Sequence, residues 1–417
     1  MPMSLHPLQH KNIILGVTGS IAAYKAADLA SKLAQSGANV NVVLTDAATK
    51  FIAPLTFQSV TGQPAYTDAD LWGADAHVLH IGLARKADAL LIAPATANTL
   101  AKLAHGQADD LICLTALALG SEANAAPLMI APAMDAGMYG HAATQENVEI
   151  LTRRGVVFIG PEEGYLASGL VAKGRMSEPA DILGQLRYKL SRRGPLQGIH
   201  ITVTAGPTHE DIDPVRYLSN RSTGKQGYAL ALAALDAGAD ITLISGPTQL
   251  TPPAGATLIN VRTALEMEQA TLTACKTTDV LLMSAAVADF RPAQPAQQKI
   301  KKITGAPSLP LAPNPDILAA VHRQRATTNQ PQILVGFAAE TQALIANAAD
   351  KMRRKGLNFI VANDVSASDA GFAVDTNRAA LLHADGRKEE LPLMSKYEIG
   401  AEVIARVIAL LNPQENS

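Results

Sequence analysis

The sequence predicts two α/β domains in tandem, each a parallel sheet covered by helices on both faces. Three observations predict it. Apolar runs of strand length alternate with helical patterns along nearly the whole chain. The runs are continuous rather than alternating, as strands buried on both faces require. The second half also echoes the first: "NIILGVTGS", helix, "SGANVNVVLT" is answered by "HITVTAGPT", helix, "AGADITLISGP". At 417 residues, with roughly 150 residues per domain, the chain has room for two or three domains.

In chain order, "NIILGV", "NVNVVLT", "ALLIAP", "PLMIAP" and "VVFIGP" read as the strands of the first domain. The strand signal lapses through "EPADILGQLRYKLSRRGPLQG", a short helix ending in a basic turn with Gly and Pro. This puts a boundary near 191–198 and predicts domains at 1–190 and 191–417. "ITVTAGP", "ITLISGP", "VLLMSAAV", "ILVGFAAE" and "NFIVAND" are the second set of strands. A last helix is expected from Ser395, where "SKYE" is a capping box and Ile399, Val403, Ile404, Val407, Ile408 and Leu411 form one apolar face.

Composition removes several function classes. A net charge of -2 with 17% charged residues provides no basic stripe for nucleic acid and no acidic tail. The start "MPMSLHPLQHKNIILGV" lacks the blocks of a signal peptide, and runs such as "LICLTALAL" are too short to cross a bilayer, so a cytoplasmic protein is expected. Cys113 and Cys275 lie in apolar runs of different halves, which predicts two buried thiols rather than a disulfide or a metal site.

Three strand ends carry small and polar loops. In "GVTGSIAAYK" a strand leads into a helix, so backbone N–H groups at Gly19, Ser20 and Ile21 can hold one phosphate. The G-x-G-x-x-G spacing is missing, and alone the loop reads equally well as a tight turn. "APATANTLAK" adds Thr96, Asn98 and Thr99 at another strand end, and "APAMDAGMY" supplies a third loop. Together they describe a mononucleotide cleft at strand carboxyl ends.

These motifs carry a family resemblance. "TGSIAAYK", "APATANT" and "PAMDAGMY" resemble the FMN-binding cysteine decarboxylases, whereas "TAGPTHEDIDPVRYLSNRSTGKQGYALA", "SAAVADFRP" and "GFAAET" resemble phosphopantothenate–cysteine ligase. In this order they resemble the bacterial bifunctional enzymes of coenzyme A biosynthesis over essentially the full length. The resemblance implies a flavodoxin-like first domain with FMN at Gly19, Ser20, Ile21, Thr45, Thr96, Ala97, Asn98 and Thr99. It implies a Rossmann-like α/β ligase domain after it, using 4'-phosphopantothenate, cysteine, CTP and Mg2+. It also implies a homo-oligomer, trimers of the first domain linked by dimers of the second.

In the first domain, the resemblance implies flavin oxidation of the cysteinyl part of phosphopantothenoylcysteine, loss of carbon dioxide and return of the electrons to an enethiolate. The family pattern has a histidine in G-H-I-E-L, an asparagine in P-x-M-N-x-x-M that holds the substrate carboxylate, and a cysteine in a lid that donates a proton. The matching residues are His80, Asp135 and Ser168, the last within "GYLASGLVAKGRM". By itself His80 reads better as a histidine satisfying a core hydrogen bond. An ionised Asp135 about 4 Å from the substrate carboxylate would cost about 4 kcal/mol at an effective dielectric of about 20. A protonated Asp135 with a raised pKa would instead donate one hydrogen bond. A serine hydroxyl is a far weaker acid than a thiol, so impaired decarboxylation is expected.

In the second domain "SNRSTGKQG" is not a Walker motif, but it and "TAGPT" are polar turns suited to phosphate. The resemblance assigns Asn220 to the acyl-nucleotide intermediate and Lys299 to the triphosphate. It assigns Ser284, Ala285, Asp289, Asn314, Pro315, Asp316, Ile317, Phe337, Lys351 and Lys355 to the nucleotide. By composition "FRPAQPAQQKIKKITGAPSLPLAPNPD", which holds Lys299, is a flexible linker. The resemblance makes it a closing loop. The implied reaction is activation of phosphopantothenate by CTP to an acyl-cytidylate, then displacement of CMP by the amine of cysteine. Three readings stand: a bifunctional enzyme, a working ligase with a structural flavin domain, and a regulatory or interaction protein on the same fold.

Overall fold

The computed structural model describes residues 6–72, 78–120, 122, 124–301, 308–340, 352–364 and 375–412. Contacts divide them into two compact units, one covering residues 6–190 and one from residue 191 onward.

The first unit holds β1 (Asn12–Val17), β2 (Asn39–Leu44), β3 (Ala65–Thr67), β4 (Ala89–Ala95), β5 (Leu128–Pro132) and β6 (Val157–Phe158). They form one parallel sheet in the order β3-β2-β1-β4-β5-β6. Without the three-residue edge strand β3, this is the flavodoxin-like order 2-1-3-4-5. The helices are α1 (Ala23–Gln35), α2 (Asp46–Thr49), α3 (Pro54–Thr61), α4 (Leu79–Lys86), α5 (Ala97–His105), α6 (Leu111–Ala118), α7 (Ala136–Tyr139), α8 (Ala142–Arg153) and α9 (Pro179–Ser191). The continuous apolar strands do what their pattern requires. Ile13, Leu15 and Val17 of β1 enter one core with Ala26, Leu29 and Leu33 of α1, while Ile14 enters the other with Leu100 of α5 and Ile112 of α6. The order reverses between β1 and β4, so their carboxyl ends open a crevice.

The run "VVFIGP" contributes only the two residues of β6 to the sheet. The chain then makes a hairpin, β7 (Glu162–Tyr165) with β8 (Val171–Arg175), and the candidate lid residue Ser168 lies in its connecting loop.

In the second unit the main sheet contains β9 (His200–Ala205), β12 (Asp240–Ser245), β13 (Ala256–Asn260), β14 (Val280–Met283), β17 (Ile333–Glu340), β18 (Phe359–Asp364), β19 (Thr376–His383) and β20 (Lys388–Ser395). Its order is β13-β12-β9-β14-β17-β18-β19-β20, parallel up to β18 and antiparallel beyond it. The parallel part has the Rossmann order 3-2-1-4-5-6, with its switch point between β9 and β14. Two ribbons lie outside this sheet: β10 (His209–Asp211) with β11 (Tyr217–Ser219), and β15 (Phe290–Pro292) with β16 (Leu311–Pro313). The second ribbon corrects the linker reading of that loop at its two ends, where Phe290 pairs with Pro313 and the Ala293 amide donates to Pro310 O at 2.9 Å.

The helices are α10 (Lys225–Asp236), α11 (Ala264–Ala274), α12 (Ile317–Thr328) and α13 (Lys396–Leu411). Ser395 and Glu398 form the expected capping box of α13, with Ile399, Val403, Ile404 and Val407 buried. Cys113 and Cys275 are buried free thiols, and burial pushes the Cys275 thiol up to about 12. Neither is a thiolate at neutral pH.

Candidate functional site

A cavity of about 450 Å³ opens at the carboxyl ends of β1, β4 and β5. Gly19, Ser20, Ile21, Thr96, Ala97, Asp135 and Ser168 line it, so most of the first-domain positions singled out in the sequence converge. Gly19 is dictated by close approach, since a Cβ there would lie 2.5 Å from that of Ala47. The Ser20 amide is spent on Thr18 O at 2.8 Å. Among the described residues, the Gly19 and Ile21 amides have no such partner and remain for a ligand.

Thr18 ties the two loops together. Its buried hydroxyl donates to Pro94 O at 2.8 Å and accepts from the Thr96 amide at 3.1 Å. Lys25 is the second residue that the motif reading missed. It is 8% exposed, lines the cavity, and donates to Met176 O at 3.2 Å and to Glu178 Oε1 at 2.9 Å. A lysine four residues before Leu29 on the apolar face of α1 was the available signal. Arg175 also pairs with Glu178, so two cations hold the root of the hairpin.

That hairpin is docked on the loop after β5. The Met134 amide donates to Gly174 O at 3.0 Å, and a Cβ at position 174 would collide with the Met134 carbonyl oxygen. Asp135 and Ser168 meet as a result. The Ser168 hydroxyl donates to Asp135 Oδ2 at 2.6 Å, and Asp135 Oδ1 accepts from the Gly137 amide at 3.0 Å as the cap of α7. The Ser168 hydroxyl and then the Gly137 amide hold the Asp135 carboxyl below the usual carboxylate range. Both partners donate to the charged form, which works against the alternative of a raised pKa. Asp135 faces the cavity as an anion at neutral pH.

Thr45, His80, Asn98 and Thr99 do not line this cavity. Thr45 caps α2 by accepting from the Ala48 amide at 3.2 Å. Thr99 is buried and its amide donates to Thr96 Oγ1 at 3.3 Å, while Asn98 is exposed on α5. His80 lies on α4, its buried Nδ1 without a hydrogen-bond partner among the described residues.

The second unit has a cavity of about 740 Å³ at the β9/β14 switch point. Asn220, Ser284, Ala285, Asp289, Asn314, Pro315, Asp316, Ile317, Phe337 and Lys355 all line it. Its floor is set by buried threonines: the Ala285 amide donates to Thr204 Oγ1 at 3.2 Å and the Ala288 amide to Thr208 Oγ1 at 3.0 Å. Asn220 Nδ2 donates to the carbonyls of Ala286 and Val287, both at 3.2 Å. Asp316 caps α12 through the Ala319 amide at 3.1 Å and pairs with Lys355 at 2.9 Å.

Lys299 is exposed and is not among the lining residues. Its neighbour Ile300 is pinned, donating its amide to Asp213 Oδ2 at 3.1 Å and accepting from Arg216 Nη2 at 3.0 Å. The Arg216 guanidinium holds the Asp213 carboxyl well below the usual range, so the pin is charged at neutral pH. Lys351 lies outside the described residues.

Comparison with known proteins decides the family. Residues 3–191 match the Flavoprotein family and residues 196–411 the DNA/pantothenate metabolism flavoprotein C-terminal domain. The chain is 45% identical over 406 residues to the coenzyme A biosynthesis bifunctional protein CoaBC of Bacillus subtilis, covering 97% of this chain and 98% of that one. It belongs to the family of coenzyme A biosynthesis bifunctional proteins. The Vibrio vulnificus CoaBC is 44% identical, with 98% of this chain and 100% of the relative covered. A crystal structure of the C-terminal domain of a CoaBC protein is 36% identical over 53% of this chain and 100% of its own, with a TM-score of 0.45.

The chain is thus an enzyme of coenzyme A biosynthesis. Within that family's second domain, Lys225, Gln226, Asn377 and Lys396 line the cavity although the motif reading did not single them out. Lys225 and Gln226 sit inside "SNRSTGKQG", whereas Asn377 and Lys396 come from distant segments that only the sheet brings in. No helix of the described residues is long and apolar enough to cross a membrane.

Proposed function

We propose that the second unit joins 4'-phosphopantothenate to cysteine through an acyl-cytidylate made from CTP, and that the first unit binds FMN but is impaired as a phosphopantothenoylcysteine decarboxylase. One observation carries the ligase reading: the acyl-contact candidate Asn220 shares one cavity with every nucleotide candidate except Lys299 and Lys351. A carboxylate is a poor acyl donor, and a site that holds it beside a nucleotide lets the mixed anhydride form without solvent competition. Magnesium enters this reading with the triphosphate of its substrate. Among the described residues, no group of three or more His, Cys, Asp or Glu side chains could hold a metal.

The first cavity fits FMN in size and chemistry, with free Gly19 and Ile21 amides at a helix start and apolar walls from Ala133, Met134 and Leu166. When bound, FMN would supply two-electron oxidation of the cysteinyl segment of the substrate. The residues around it would hold its phosphate and present Asp135 and Ser168 to the substrate. Asp135 presents a negative charge, and Ser168 directs its proton to Asp135.

The working units are 1–190 and 191–417. The reading includes a cytoplasmic location, small-molecule substrates with neither nucleic acid nor membrane, and a homo-oligomer of first-unit trimers joined by second-unit dimers.

Two results are expected from the purified full-length protein. It should release pyrophosphate only when CTP and phosphopantothenate are both present, measured by a coupled pyrophosphate assay. No release would sink the ligase reading. It should also carry FMN or take it up, seen as a yellow protein with quenched flavin fluorescence. Failure to take up added FMN would leave the first unit as a scaffold.

A further inference from the structure

The first cavity offers hydrogen-bond acceptors where the hairpin meets the loop after β5. Ser168 directs its proton to Asp135 Oδ2 at 2.6 Å, which leaves the serine oxygen as an acceptor. Asp135 Oδ1 takes the Gly137 amide at 3.0 Å. A carboxylate has about four lone-pair sites on its two oxygens, so about two remain on Asp135. The charge is also unmatched, because Asp135 has no ion pair among the described residues. Lys25 and Arg175, which line the same cavity, both pair with Glu178, and Lys173 of β8 stands 5.6 Å from the centre of the Tyr139 ring. Aromatic rings complete the surroundings. Tyr24 in the first turn of α1 and Tyr165 at the end of β7 line the cavity and are 66% and 72% exposed. Exposed rings beside a carboxylate suit a cation rather than a second anion.

We propose that Asp135, the Ser168 oxygen and the rings of Tyr24 and Tyr165 make this cavity a site for an organic ammonium group, with Asp135 setting specificity against carboxylates. A primary ammonium is the complement of such a site, with three donors, no acceptor and a positive charge. A ligand carboxylate brings only acceptors and a like charge to the same spot, so discrimination comes from repulsion as well as attraction. The proposal rests on the flavin-site reading of the first unit only for the remainder of the ligand.

The test uses the full-length protein with added FMN and three analogues of phosphopantothenoylcysteine that carry a carboxylate, a carboxamide or an aminomethyl group at the cysteinyl carbon. A methyl group replaces the thiol in all three, so no electron transfer follows binding. Calorimetry should place the aminomethyl analogue at least about tenfold tighter than the carboxylate, with the carboxamide between them. Asp135→Asn keeps a side-chain oxygen to cap α7 and should bring the three within about threefold of one another. Tyr165→Leu should weaken aminomethyl binding by about threefold and leave the carboxamide unchanged, the loss expected when a ring face is removed from an exposed cation. Equal or tighter binding of the carboxylate by the unaltered protein, or the same preference in Asp135→Asn, overturns the ammonium site. If none of the three binds, n-butylammonium and pentanoate followed by ligand-observed NMR replace them. Binding of n-butylammonium that is lost in Asp135→Asn then overturns the substrate reading of the first unit and leaves the ammonium site standing. No binding of n-butylammonium overturns the site itself.

Discussion

Asp135→Asn combined with Ser168→Cys is expected to turn a protein that releases little carbon dioxide from phosphopantothenoylcysteine at neutral pH into one that turns over to phosphopantetheine. The expectation has two grounds. Asp135 is held ionised by the Ser168 hydroxyl and the Gly137 amide. Against a substrate carboxylate about 4 Å away it costs about 4 kcal/mol at a dielectric of about 20, roughly a thousandfold. Ser168 cannot readily protonate an enethiolate, and its proton already points at Asp135. Asp135→Asn alone should restore binding and oxidation, leaving an unsaturated thiol product. Ser168→Cys alone should do little, because the carboxylate remains. The 2.6 Å hydrogen bond adds a geometric reason for non-additivity, since each replacement also changes the partner of the other. Carbon dioxide release and product mass spectra of the four proteins decide it. Robust turnover by the unaltered protein would refute the impairment.

Lys299→Ala is expected to slow nucleotidyl transfer by about a hundredfold to a thousandfold, the loss typical when one group that stabilises developing charge is removed. In this structure Lys299 is outside the cavity, one residue from the Asp213–Arg216 pin. The prediction therefore requires the Lys299 side chain to swing inward about the pinned Ile300. Presteady-state pyrophosphate release reads the step directly. An unchanged rate would remove Lys299 from the mechanism and leave the cations already in the cavity to do its work.

Much of the first site was legible because its loops follow strands in short contiguous motifs: Gly19 to Ile21, Thr96 and Asp135 are each within a few residues of a strand end. Thr45 and Thr99 lie outside the cavity lining for a local reason. A threonine after a strand is as useful for capping a helix as for binding a ligand, and both oxygens lie at helix starts, where Thr45 caps α2 and Thr99 meets the cap of α5. The ribbon β15/β16 was hidden because proline and glutamine dominate the loop between its strands, and the pairing of Phe290 with Pro313 is long-range. The antiparallel strands β19 and β20 were missed because β20 is half exposed and carries Lys388, Glu389 and Glu390, without the continuous apolar run of a buried strand.

By itself the sequence determined the parallel strands of the two sheets, the capped last helix and the buried thiols. These follow from periodicity, capping chemistry and residue identity, all local properties. Only the tertiary structure decided that Ser168 spends its proton on Asp135, that Thr18 joins two loops, and that Lys396 is drawn to the same cavity as Lys225 from 171 positions away along the chain. Those depend on which strand ends the sheet order makes neighbours and on how closely a hairpin backbone can approach the loop beneath it, which no window of sequence contains.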